Sequence, residues 1–430
     1  MAAPALKQTE TEARLAAMAV PGAGAWLRAA RELALDRVRS LGLPGRRDEY
    51  WKFTDPRSLT APDAPEAALF DTGGEPRIFD AIDRLRLVFT DGVFDAAASD
   101  DPEMAGVEIE LLADAGAVDI HWARDLYGVL EGRGQSPVPR TLAALNTAFA
   151  DSGVMIRATG RADKPIALIY RHESTNSDAM LHHCVKVEAG AELTLLETGA
   201  MGARGNQVLE VEVTAGGRFH HVRAQGRDPE IRSATHVFAR VAEGGLFKSF
   251  TLSANGALTR NEVVAEMTGA GASVHVAGAA VGDGAFHHDD TVFITHTAPQ
   301  CESRQVFKKV LKNGAEGVFQ GKILVNSGAQ KTDGYQISQA LMLDDDSQFQ
   351  AKPELEIYAD DVKCSHGSTT GAIDETALFY LRSRGVPLVE AQALLVLSFL
   401  AQTLEEIEDP ALADEIQAHL EGWLARHRNG

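Results

Sequence analysis

The residues best placed to do chemistry lie in one stretch, Tyr358-Ala359-Asp360-Asp361-Val362-Lys363-Cys364-Ser365-His366-Gly367-Ser368-Thr369-Thr370-Gly371. Cys364 and His366 are two apart, so in extended backbone both side chains fall on one face. A thiolate with an imidazole suits a soft or borderline ion such as iron or zinc, and the neighbouring Lys363 favours the thiolate. Two ligands are half a site, and closing it needs groups from another segment or another chain. The alternative is a buried cysteine and a histidine capping a strand-to-helix turn; spacing leaves both open. Cys184 and Cys301 have no second soft ligand beside them and read as packing residues. Three cysteines in 430 residues cannot form a disulfide scaffold.

Other chemistry is thin. Histidine doublets occur at His182-His183, His220-His221 and His287-His288. On a strand one member of each pair points inward and the other outward, so no doublet makes a two-ligand face. Gly317-Val318-Phe319-Gln320-Gly321-Lys322-Ile323 has one spacer too few for a phosphate loop, and Ile323 stands where Ser or Thr is required. Gly282-Asp283-Gly284 and Gly269-Ala270-Gly271 start like dinucleotide fingerprints but have His287 and Val274 at the third glycine. There is no His-Glu-x-x-His, Gly-x-Ser-x-Gly or Cys-x-x-Cys. The chain is expected to bind no nucleotide and to be no enzyme by itself. With 41 Lys and Arg against 61 Asp and Glu, its net charge of −20 argues against nucleic acid and anionic lipid as partners. The N-terminus lacks a signal-like apolar run, and the most apolar stretch, 388–404, is broken by Glu390, Gln392 and Gln402. A soluble, cytoplasmic protein is expected.

The elements that must position these residues fall into four zones. Residues 1–68 form an N-terminal helical region in which Pro21-Gly22-Ala23-Gly24 separates two helices. Residues 69–153 connect it to the rest, with a hairpin around Asp91-Gly92 and a short amphipathic helix over 142–150. Residues 154–371 are a succession of short alternating strands. A glycine turn recurs there at Gly190, Gly216, Gly244 and Gly271, in steps of 26, 28 and 27 residues. That period implies a β-solenoid, whose coils bury their apolar faces only by stacking; a large β-sandwich with glycine turns is the alternative. Residues 372–430 are helical. Asp374 caps the first helix with Ile373 stapled onto Leu378, and Arg382, Arg384, Gly385 and Pro387 stop it. The next helix is apolar nearly all round, Leu394 and Leu397 included, so it must bury more than one face. Pro410 opens the last helix.

Several long runs carry a resemblance: Arg47-Asp48-Glu49-Tyr50-Trp51-Lys52-Phe53-Thr54, Ser303-Arg304-Gln305, Ala329-Gln330-Lys331-Thr332-Asp333-Gly334, Lys352-Pro353-Glu354-Leu355-Glu356-Ile357-Tyr358 through Gly371, and Phe379 through Gly385. They are similar to the SufD branch of the SufB/SufD scaffold family in the SUF iron–sulfur assembly machinery. The resemblance implies a mainly β fold, a parallel β-helix core flanked by N-terminal and C-terminal helical domains. It implies a non-catalytic scaffold subunit that pairs with a SufB-like subunit and docks a SufC-like ATPase on its C-terminal helices. Arg382, Arg384, Gly385, Leu394 and Leu397 are the expected docking residues. Iron or an iron–sulfur cluster would be held transiently at the interface, with His366 as a ligand and Cys364 beside it. The isolated chain could instead form a homodimer. The stretch Ile337-Ser338-Gln339-Ala340-Leu341-Met342 lacks the functional cysteine that SufB proteins carry there, which favours SufD. The remaining alternatives are a SufB-like scaffold that builds a cluster alone, or an unrelated β-solenoid enzyme.

Overall fold

The computed structural model describes residues 5–70, 77–225 and 230–427. From Val154 onward, each strand pairs in parallel with the strand two further on, not with the next. The chain therefore winds alternately through a ten-stranded and a nine-stranded sheet. This is a β-solenoid; a sandwich of hairpins would pair its successive strands antiparallel. Alternation along each strand puts one set of side chains inside. Leu168, Leu195, Phe219, Phe247 and Phe307 from one sheet meet Leu181, Leu209, Val237, Val263 and Phe319 from the other in a closed core.

The glycine period is the coil register. Arg218 lies opposite Glu192, Leu246 opposite Arg218, and Ser273 opposite Leu246. Gly190, Gly216, Gly244 and Gly271 occupy one corner with φ of 69°, 65°, 60° and 69°. Each donates its N–H to the next coil, at Ala215, Glu243, Ala270 and Pro299 in turn. The corner continues past the last of these glycines. Gln300 and Lys331 hold φ of 60° and 59° and donate to Gln330 and Asp361. A side chain in this left-handed conformation costs about 1–2 kcal/mol, and the stack bears it twice.

Helices cover both outer faces. Ala25–Leu41 and Thr141–Phe149 pack on the nine-stranded sheet through Val38, Leu142, Leu145, Met180 and Ala234. Thr141–Phe149 is buried on every side, so the expected amphipathic helix is instead a filling layer between Ala25–Leu41 and the sheet. Leu388–Leu404 and Pro410–Arg426 pack on the ten-stranded sheet, with Val396, Leu400, Ile416 and Leu420 against Val222, Phe250, Ala277 and Val310. The hairpin at Asp91-Gly92 forms, pairing Phe89 with Phe94. Gly317–Ile323 lies within the strand Glu316–Val325, which is paired on both edges, so it makes no phosphate-cradling loop. Among the described residues, no helix is long and apolar enough to cross a membrane.

Candidate functional site

The final coil carries Cys364 and His366. Lys363–Gly371 ends the ten-stranded sheet and Gln348–Ile357 ends the nine-stranded sheet. Each has one edge of backbone N–H and C=O groups with no neighbouring strand among the described residues. The register sets Cys364 beside Gly334 and His366 beside Gln336, both buried inward positions of Asp333–Met342. Cys364 and His366 therefore share one face, as their spacing requires, over the open end of the solenoid interior. Cys364 is half-buried with Ile323, Val325, Ala329 and Leu355. A side chain at Gly334 would stand 3.3 Å from its Sγ, so glycine there makes room for the thiol. His366 is exposed. Beneath it Gln336 Nε2 donates to Gln305 Oε1 at 2.8 Å, and beside it Ser338 Oγ donates to Ser368 Oγ at 3.0 Å.

Burial pushes the Cys364 thiol up, and the Asp333 charge adds to the effect against a backbone N–H from Gly334. The expectation that Lys363 favours the thiolate is corrected by this balance. Lys363, one residue away, belongs to the opposite face of the strand. The pair also stays half a site within the chain. Among the described residues, the group of three or more His, Cys, Asp or Glu compact enough for a metal ion is His182, Cys184 and Glu210, which lies elsewhere. Cys184 packs in a buried cluster with Tyr127, Met155 and Phe238, and its neighbours there include His182 and Glu210, which its sequence surroundings did not bring out. Cys301 packs too, its Sγ 3.3 Å from the Gly269 carbonyl.

The back of the final coil is held by the Arg47–Thr54 segment. Tyr50 Oη donates to Glu354, and Lys352 lies 3.9 Å from the Tyr50 ring centre with its Nζ 2.6 Å from Glu49. Trp51 lies under the Arg260 guanidinium at 4.0 Å, and Thr54 Oγ1 donates to Asp289 at 2.6 Å. This strap crosses to partners more than 200 residues away, so its role has no local signal in the sequence.

In the C-terminal helices, Asp374 Oδ1 accepts the Thr376 and Ala377 N–H groups at 2.8 and 3.1 Å, the expected cap. Arg382 in the last turn of Glu375–Ser383, and Arg384 and Gly385 just after it, are exposed. Leu394 is 50% exposed, whereas Leu397 packs towards the sheet with Val396 and Leu400. Phe379, 74% exposed, and Tyr380, Leu388 and Val389 are further exposed apolar residues on the same two helices. Phe379 and Tyr380 were not singled out by periodicity, because a three-turn helix shows an outward apolar residue only once its inward face is known.

These features define a β-solenoid with helices on both flanks and a last coil that carries Cys364 and His366 on one face. Residues 170–399, more than half of the chain, match the family model described as SUF system FeS cluster assembly, SufBD core domain. The chain belongs to that SufBD family of iron–sulfur cluster assembly proteins and is of the SufD type. It is 29% identical over 406 residues to the iron-sulfur cluster assembly protein SufD of Escherichia coli, covering 90% of each chain. It is 29% identical over 405 residues to a SufBD family protein of Synechocystis, covering 88% of this chain and 86% of that one. With the SufD protein of Bacillus subtilis it shares 25% over 402 residues, 89% and 90% of the two chains.

Proposed function

We propose that this chain is a non-catalytic scaffold subunit of a cytoplasmic iron–sulfur assembly complex, paired through its last coil with a SufB-like subunit. One observation carries the reading: two free sheet edges meet at the coil that holds His366 and Cys364. A free edge is a template for strand pairing with a second chain, and a half-complete ligand set beside it needs that chain's donors. Iron or a nascent cluster is the cargo, held transiently between the subunits. A His366 ring nitrogen takes the metal, and Cys364 packs beside it or adds a second ligand. The chain divides functionally at about the boundaries its texture implies: 1–68 and 69–153 brace the solenoid 154–371, and 372–430 receives a SufC-like ATPase on the surface around Phe379, Arg382, Arg384, Gly385 and Leu394. The chain itself binds no nucleotide.

The test is complementation of cells that lack other assembly routes, with the complex recovered through a tag. His366→Ala should leave the complex assembled while cluster formation collapses, and Cys364→Ser should do less damage unless it is also a ligand. Full rescue by His366→Ala would sink the shared-site mechanism. Loss of the complex itself would recast His366 as structural.

A further inference from the structure

His182 and Cys184 lie two apart on Asp178–Val187, and Glu210 lies directly opposite Cys184 on Arg204–Val213. All three point out of the solenoid into the layer beneath the N-terminal helices, and all three are completely buried. His182 Nε2 is 3.6 Å from Glu210 Oε2, and Cys184 Sγ is 4.0 Å from the same oxygen. The three ligand atoms fall within 4.8 Å of one another. Bonds of about 2.0–2.3 Å from one ion to N, O and S span separations of this size. Tyr127 stacks on the imidazole at 3.9 Å and fixes its plane. The Glu210 carboxylate is fixed as well, accepting N–H groups from Gly128 and Glu131, each at 2.7 Å.

What the site lacks is a partner for His182. Neither ring nitrogen has a hydrogen bond, although the side chain is wholly buried. A buried polar atom left without a partner is destabilising, and here both ring nitrogens are in that position. Arg31 and Arg37, the nearby cations, spend their guanidinium groups on the Ala150 carbonyl and on Glu131. Burial pushes the Glu210 carboxyl up to about 8 and the Cys184 thiol well above its usual range. Burial also holds His182 neutral, the form that ligates.

We propose that His182, Cys184 and Glu210 bind one divalent transition-metal ion of the zinc type, which ties two solenoid coils to the helical layer. Binding releases the thiol proton to solvent, and a dication then balances one thiolate and one carboxylate to zero net charge. Three protein ligands leave a fourth coordination position open. The site is separate from the final coil and independent of the function proposed above. Complete burial means that the ion enters as the chain folds.

The full chain expressed in zinc-poor medium supplemented with Co²⁺ tests this directly. One cobalt per chain is expected, with a thiolate-to-cobalt charge-transfer band. Cys301→Ser/Cys364→Ser leaves Cys184 as the sole thiol of the three, and the band should persist in that variant. Cys184→Ser and Glu210→Gln should lose the band and at least tenfold in cobalt content. Absence of the band from Cys301→Ser/Cys364→Ser, or its survival when Glu210→Gln is added to that variant, overturns the assignment. Should Cys184→Ser not fold, the sole-thiol variant decides the matter by itself.

Discussion

The strap over the final coil hangs on Arg260, and its removal has a calculable effect. The guanidinium is 1% exposed, pairs with Asp289 and Glu262, donates to the Tyr50 carbonyl at 3.0 Å and carries the Trp51 ring. Burial alone would raise Glu262, but the Arg260 charge, with His236 and Arg140, holds it far below the usual carboxylate range. Arg260→Met keeps most of the stem and removes the charge. Breaking a buried pair from one side costs about 3–5 kcal/mol, and losing the stack on Trp51 adds roughly 0.5–2 kcal/mol. Net stabilities are typically about 5–15 kcal/mol, so the strap should open before the solenoid does. Limited proteolysis within residues 44–62 should rise by about a hundredfold or more, with a lower urea midpoint. Arg157→Met is the control, because its pair with Glu188 at 2.8 Å is partly exposed and contributes about 0–1 kcal/mol. An Arg260→Met midpoint no lower than that of Arg157→Met refutes the reasoning. So does a Trp51→Ala cost that is undiminished in the Arg260→Met background.

Three further outcomes are expected. Leu394→Glu and Phe379→Asp should abolish capture of the ATPase partner in copurification while leaving the melting temperature within about 2 °C, since both side chains are exposed; capture at wild-type levels removes this surface from consideration. Burial brings His183 and His296 down to about 4, so the folded state holds them neutral. Their contribution is complete above the unfolded value near 6.5 and is lost as pH falls through 4, by about 3 kcal/mol each; urea midpoints that do not fall across that window refute it. Asp374→Ala removes a cap whose one oxygen accepts two N–H groups and should cost about 1 kcal/mol, read as faster amide exchange in Glu375–Ser383 with the solenoid unaffected.

Much of the solenoid was legible because its corner uses glycine four times in succession at the coil period. Legibility stopped at Gln300 and Lys331, where the same left-handed corner is filled by residues that carry no such signature. That Cys364 and His366 share one face of the last strand was legible from the two-residue spacing. The same rule applies to His182 and Cys184, yet the doublet His182-His183 drew attention to neighbours that face opposite ways. Their third group, Glu210, is one coil distant and becomes a neighbour only once the register is known. The Arg47–Thr54 run was visible as a pattern but not as a strap, since Glu354, Arg260 and Asp289 lie far along the chain.

The two ends of the solenoid differ in what they offer a growing sheet. At the N-terminal end the antiparallel strands Val93–Phe94 and Val107–Leu111 close the two sheets, one of them only two residues long. Antiparallel terminators and very short edges do not extend a parallel stack. Among the described residues, the final coil is therefore the end at which a parallel stack could extend. Chains with two such ends polymerise head to tail, whereas joining one end to one end exhausts valency at two subunits. A partner that added its strands at the final coil would therefore form a finite pair whose midpoint is the coil that carries His366, with strand geometry and not repulsive charge ending the assembly.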